Sequence, residues 1–222
     1  MPGTTPVYGF PYPEPTDLVA DYPALGQDLA EDIEAVLPTI GGLAPVAPTS
    51  IANSGGSAST TANTTTFTTV SSISLNGVFS ATYDHYRIMI RFTAASAADT
   101  SGTMRLRASG TDNSGATAYR EQVGYFLGAT TVASANNTSS WRVADTATSY
   151  PYGSGAIVDL MGPFIAQRTG MSNSHWFNSS VNSQYTWVSG GAHTESVAYD
   201  GFSLLSSSGT FSGTISVFGY KK

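Results

Sequence analysis

Tyr86, Ile88, Ile90 and Phe92 alternate with Arg87, Met89 and Arg91, and only a β-strand sends successive side chains to opposite faces. A strand with one apolar and one polar face must cover the apolar one, so the chain needs a second sheet or a layer of helices. Met104, Leu106 and Ala108 repeat the pattern against Arg105 and Arg107, and Ile215, Val217 and Gly219 repeat it against Phe218 and Tyr220. Similar short stretches are expected at 67–75, 85–92, 103–108, 118–127, 139–143, 156–165, 170–177, 185–188, 201–205 and 211–220. Ser/Gly/Asn text separates them, as in 109–115, 133–139 and 206–209. No helix follows these loops, so they are turns and not phosphate cradles. The expected fold is mainly β: a jelly-roll-like antiparallel β-sandwich over residues 67–222.

The first forty residues differ in kind. Residues 1–15 hold five prolines interleaved with Tyr8, Phe10 and Tyr12, which favours an extended, polyproline-like arm able to lay its rings on a neighbouring surface. Residues 16–40 form an acidic helical segment. Thr16 suits an N-cap, Pro23 fits only the start of a helical run, and the helix proper is expected from about Pro23 to Leu37. Leu29, Ile33, Val36 and Ile40 are spaced four, three and four apart, a narrow seam that suits a bundle of identical helices, with Gly26 permitting close approach. The alternative is an amphipathic helix folded onto its own domain. Gly41-Gly42, Pro45 and Pro48 stop the helix, and the Ser/Thr/Ala/Gly text of 41–66 reads as a linker.

Charge follows the same division. The first fifty residues carry seven acids and no Lys or Arg, while the remaining eight acids and nine basic residues nearly cancel. An acidic lead argues against nucleic acid and for docking on a neutral or basic protein surface. With no cysteine there is no disulfide framework, thiolate chemistry or zinc ribbon. The N-terminus lacks a basic and apolar leader and no run nears eighteen apolar residues, so a soluble protein without membrane insertion is expected.

Tyr12-Pro-Glu-Pro-Thr-Asp-Leu-Val-Ala-Asp21 followed by Asp28-Leu-Ala-Glu-Asp-Ile-Glu34 resembles the N-terminal segment of minor tail and tail-fibre proteins of phages that infect actinobacteria. The likeness covers about thirty residues. It departs at Tyr22-Pro23, where the family often has glycine and alanine. More weakly, 83–90 and 213–220 resemble strands of the β-sandwich tips of phage fibres. The resemblance implies a virion protein, assembled in the host cytoplasm, with an attachment segment followed by an outward-facing β domain.

Chemistry-bearing residues are sparse. His85, His175 and His193 lie in no metal-ligand spacing, and no serine sits in a Gly-x-Ser-x-Gly elbow. Neither a metal nor a cofactor is expected. The acids of the β domain, Asp84, Asp99, Asp112, Glu121, Asp145, Asp159, Glu195 and Asp200, leave a glycosidase pair conceivable, but most sit in turns or beside a basic neighbour. Arg120 with Glu121 and Arg142 with Asp145 read as surface ion pairs. Arg87, Arg91, Arg105 and Arg107, on one strand face, are expected to pair across strands or subunits. Trp141, Trp176 and Trp187, flanked by Ser, Asn, Gln and His, read first as core or subunit interface, with glycan contact as the functional alternative for each. The expectation is therefore a non-enzymatic homotrimeric tail fibre or tip. It attaches to another virion protein through its arm and binds host surface glycan through its β domain. Behind it stand a capsid decoration or head-fibre protein without receptor binding and, third, a polysaccharide-depolymerising spike.

Overall fold

The computed structural model describes residues 3–4, 11–12, 22–36, 42–97, 100–127, 129–148, 153–180 and 183–221. The chain divides into two compact units, one reaching Ala44 and including Lys221, the other running from Pro45 to Tyr220.

In the first unit, β1 (Gly3–Thr4) pairs antiparallel with β2 (Pro11–Tyr12), and α1 spans Tyr22–Val36. The helix starts where the proline allows, with Pro23 in its first turn, where a missing N–H costs nothing. Leu25 and Leu29 are half-buried while Ile33, on the same face, is 38% exposed. Gln27 Nε2 donates to Glu31 Oε1 one turn on, at 2.8 Å. Val36 is the last helical residue; Ile40, Thr16, Tyr8 and Phe10 lie outside the described residues, and Tyr12 is 45% exposed.

The second unit is an antiparallel β-sandwich, the fold class expected. Its strands follow β3 (Leu43–Val46) as β4 (Ser50–Ser54), β5 (Ser57–Thr61), β6 (Thr64–Val70), β7 (Ser72–Asn76), β8 (His85–Ala95) and β9 (Thr100–Ala108). Then come β10 (Thr111–Asp112), β11 (Tyr119–Leu127), β12 (Ala129–Thr138), β13 (Trp141–Thr146) and β14 (Gly155–Met161). β15 (Gly170–Ser180), β16 (Ser183–His193), β17 (Gly201–Ser206) and β18 (Phe211–Tyr220) complete it. The smaller sheet has the order β10-β9-β17-β7-β4, with β13 also paired to β9. The larger runs β12-β11-β16-β15-β14-β8-β18-β6-β5.

The alternation read from the sequence sets the core. Tyr86, Ile88, Ile90 and Phe92 of β8 are buried, as are Met104 and Leu106 of β9 and Ile215 and Val217 of β18. Phe67, Phe92 and Phe211 meet edge to face with centroids 5.4 to 6.5 Å apart. Each buried ring of this size contributes about 2–3 kcal/mol of apolar burial. A satellite cluster of Val123, Phe177 and Trp187 lies on β11, β15 and β16.

Three sequence readings need correction. The expected linker 41–66 contains β3, β4, β5 and the start of β6. β4 keeps only Ile51 partly covered and contributes backbone hydrogen bonds to β7, so an edge strand of this kind carries no alternation to read. The expected loop at 133–139 lies mostly in β12, which pairs with β11 for the same reason. The strand expected over 156–165 stops at Met161, because Gly162 takes a left-handed φ of 68° and Pro163 follows.

Candidate ligand groove

The three tryptophans have three different fates. Trp141 is completely buried, packed edge-on against Tyr119 at 5.0 Å, and its indole N–H donates to the Arg120 carbonyl at 3.2 Å. It is a core residue and offers no platform, which corrects its candidacy as a glycan contact; on β13 it falls on the inward side. Trp187 is 6% exposed, with the His175 ring at 4.8 Å and the Arg142 guanidinium 4.1 Å from its centroid, so it too is covered. Trp176 alone is half-buried and faces a groove of 400 Å³ on the outer face of the larger sheet.

Strand register explains the groove. Trp176 on β15 stands opposite Gly155 on β14, Gly155 opposite Arg91 on β8, and Arg91 opposite Thr214 on β18. A Cβ at Gly155 would come 2.7 Å from the Ile90 carbonyl oxygen and 3.2 Å from Trp176 Cζ2. The indole therefore lies over a strand position without a side chain, leaning toward Arg91. In the next row Ser174, Ile157, Met89 and Ser216 stand side by side. Met89 is 45% exposed, and Phe218, opposite Arg87 in the row beyond, also lines the groove.

The neighbouring cation on this face is already neutralised. Arg87 Nε and Nη2 donate to the two carboxylate oxygens of Asp159, both at 2.8 Å, and the Tyr220 hydroxyl donates to Asp159 Oδ1 at 2.8 Å. Burial alone would raise the Asp159 carboxyl, but the Arg87 and Tyr220 hydrogen bonds and the Arg87 charge outweigh it and hold it below its ordinary value. Arg91 makes no side-chain hydrogen bond or ion pair among the described residues, and no acid lines the groove.

Elsewhere the polar residues close on themselves. Arg142 Nε and Nη2 donate to Asp145 Oδ1, and Asp145 Oδ2 accepts from His175 Nε2 at 2.8 Å. On the other side of the ring, Asn173 Nδ2 lies 3.2 Å from His175 Nδ1. Ser189 meets Asn173 and not the histidine. Asp145 is buried, so its pair with Arg142 is not the surface bridge expected. Glu121 does not pair with Arg120 at the surface either: it is 6% exposed and accepts from the Arg142 amide at 3.0 Å. Burial pushes its carboxyl up to about 7, against the hydrogen bond and charge of Arg142. The four strand arginines belong to two faces: Arg87 and Arg91 on the larger sheet, Arg105 and Arg107 on the smaller.

Sequence reasoning named Trp176 and the outward arginines but missed that Gly155, Phe218 and Arg91 converge on the same groove. Outward alternation marks each of them, yet only the register between strands distant in sequence brings them together. Among the described residues no group of three His, Cys, Asp or Glu side chains is placed to hold a metal ion. Compared with known proteins, the chain matches no family model and no curated protein.

Proposed function

We propose that this chain is a virion structural protein of a phage infecting actinobacteria, a tail fibre or tip whose β domain binds a glycan of the host surface through the Trp176 groove. The single observation that carries the binding half is a half-buried indole over Gly155, in a concavity bordered by hydroxyls and an arginine. Sugar sites commonly combine such an aromatic platform with a few oriented polar groups. The virion half rests on the resemblance of 12–21 and 28–34 to phage tail proteins. No catalytic step is assigned to the groove.

Adsorption of labelled full-length protein to actinobacterial cells tests the binding half. Trp176→Ala should abolish adsorption with its melting temperature nearly unchanged. Adsorption at the native level by that variant would overturn the groove as the glycan site.

The N-terminal unit is proposed to attach the protein to another virion component and to trimerise it. Supporting this, Leu25, Leu29 and Ile33 share one helix face, and Ile33 remains exposed in the single chain. Light scattering should give a mass three times that of the chain, and Ile33→Asp should lower it, because a charge in an apolar seam is costly to desolvate. A monomeric native protein would overturn the trimer.

A further inference from the structure

We propose that the Trp176 groove selects an acidic sugar, a hexuronate whose ring stacks on the indole while its carboxylate pairs with Arg91. This inference rests on the glycan-binding reading and adds the chemical class of the ligand.

The argument begins with charge. The whole chain carries a net charge of −6, so an anionic ligand gains nothing from the protein's overall field. Binding an acid needs a local cation that the fold has not already neutralised. On this sheet face, Arg87 is held bidentately by Asp159 and further enclosed by Tyr220, while Arg91, four residues along the same strand, meets Gly155 and Thr214 across its two strand pairings. Neither neighbour supplies a carboxylate. An arginine left this way keeps a planar set of donors suited to bidentate contact with a carboxylate.

Geometry points to a carboxylate on the sugar ring itself. Adjacent strands lie about 4.8 Å apart, so Trp176 and Arg91 are anchored roughly 10 Å apart across the bare Gly155 position. The indole leans into that gap. A pyranose stacked there projects an equatorial carboxylate on C5 in the plane of its ring, toward the guanidinium. A phosphate between two sugars would instead lie beyond the stacked ring. The groove wall offers further hydrogen bonding through Thr214 and Ser216, which line it.

Isothermal titration of the full-length protein tests this, with galacturonate and glucuronate trisaccharides compared against their methyl esters, which keep shape and lose charge. The acids should bind about tenfold more tightly than the esters, since hydrogen bonds to a charged group are the stronger ones. Raising the salt concentration should narrow the gap. Arg91→Gln should bring acid and ester to the same affinity, Arg91→Lys should restore part of the preference, and Trp176→Ala should remove binding of both. Equal affinity for acid and ester in the native protein, still lost in Trp176→Ala, would overturn the uronate and leave the glycan-binding reading standing. No binding of either probe would overturn the uronate, and the cell-adsorption assay would then decide the glycan reading by itself. Light scattering that found Arg91→Gln or Trp176→Ala altering the oligomeric mass would make this face a contact between copies of the chain and overturn the inference.

Discussion

The two sheets each expose an arginine-bearing strand to the outside, and they treat it in opposite ways. On the smaller sheet, the Arg107 side chain is 11% exposed and its donors reach Asp112, Ser74 and Ser203 through Nη1, Asn76 through Nε and the Gly110 carbonyl through Nη2. Ser203 also donates to Asp112 and meets Ser74, so the guanidinium lies on a serine ladder that is itself satisfied. On the larger sheet, Arg91 faces glycine and threonine, and an indole stands open beside it. The same strand pattern serves structure where the neighbouring strands supply partners. Where they supply none, it leaves donors available to a ligand. A polar face is informative about binding only once its own hydrogen bonds have been accounted for.

That contrast is broken most severely by substitutions inside the closed parts of the sandwich. Trp141→Ala removes a fully buried indole and its hydrogen bond, and should cost about 3–5 kcal/mol in urea unfolding, against less than about 1 kcal/mol for Trp176→Ala. Equal costs for the two would mean that Trp176 is a core residue. Asp112→Ala leaves the largely covered Arg107 without its carboxylate and should cost about 2–3 kcal/mol. A cost near zero there would show that the serines and carbonyl alone satisfy the arginine.

How much of this was legible in sequence depended on what each residue does. Tyr86, Ile88, Ile90 and Phe92 announce both strand and core because burial of one face imposes period two. Residues 50–61 fold as strands without announcing it, since an edge strand of serine, threonine and alanine contributes main-chain hydrogen bonds that leave no mark on side-chain polarity. Composition placed all three tryptophans in polar settings, and it could not separate them, because the flanking residue that is polar in sequence sits on the opposite face of the strand. The groove itself depends on which glycine lies beside which arginine, a matter of register among β8, β14 and β15 that no local pattern encodes.

Glu121 sharpens the comparison from a third setting, a carboxyl turned inward where β11 meets β13. Its folded value of about 7 lies above the ordinary 4.5, so between those values the folded chain keeps a proton that the unfolded chain has released. Stability therefore falls as pH rises through that window, by roughly 3 kcal/mol, and is flat above it. Burial lowers His193, which gives the opposite sign: the unfolded chain takes up a proton below 6.5, and stability is lost as pH falls. Glu121→Gln, retaining an oxygen for the Arg142 amide, should raise the melting temperature at pH 8, leave it unchanged at pH 4.5, and expose the histidine's acid loss. An unchanged pH profile would mean that Glu121 is ionised in the fold.

The smallest effect expected is the one that best separates the two faces, because it applies one substitution to both. Arg107→Gln removes a charge that holds Asp112 and the Ser74–Ser203 ladder, and should destabilise the domain by about 1.5–3 kcal/mol. Arg91→Gln removes a guanidinium that donates to nothing among the described residues, so unfolding in urea should shift by no more than about 0.5 kcal/mol, within the range of ordinary surface substitutions. The two variants share the same change in volume, charge and helix or strand preference, which leaves the partners of the side chain as the difference being measured. If Arg91→Gln cost as much as Arg107→Gln, the larger sheet would be using Arg91 for its own stability, and the openness of that face to a ligand would have to be abandoned.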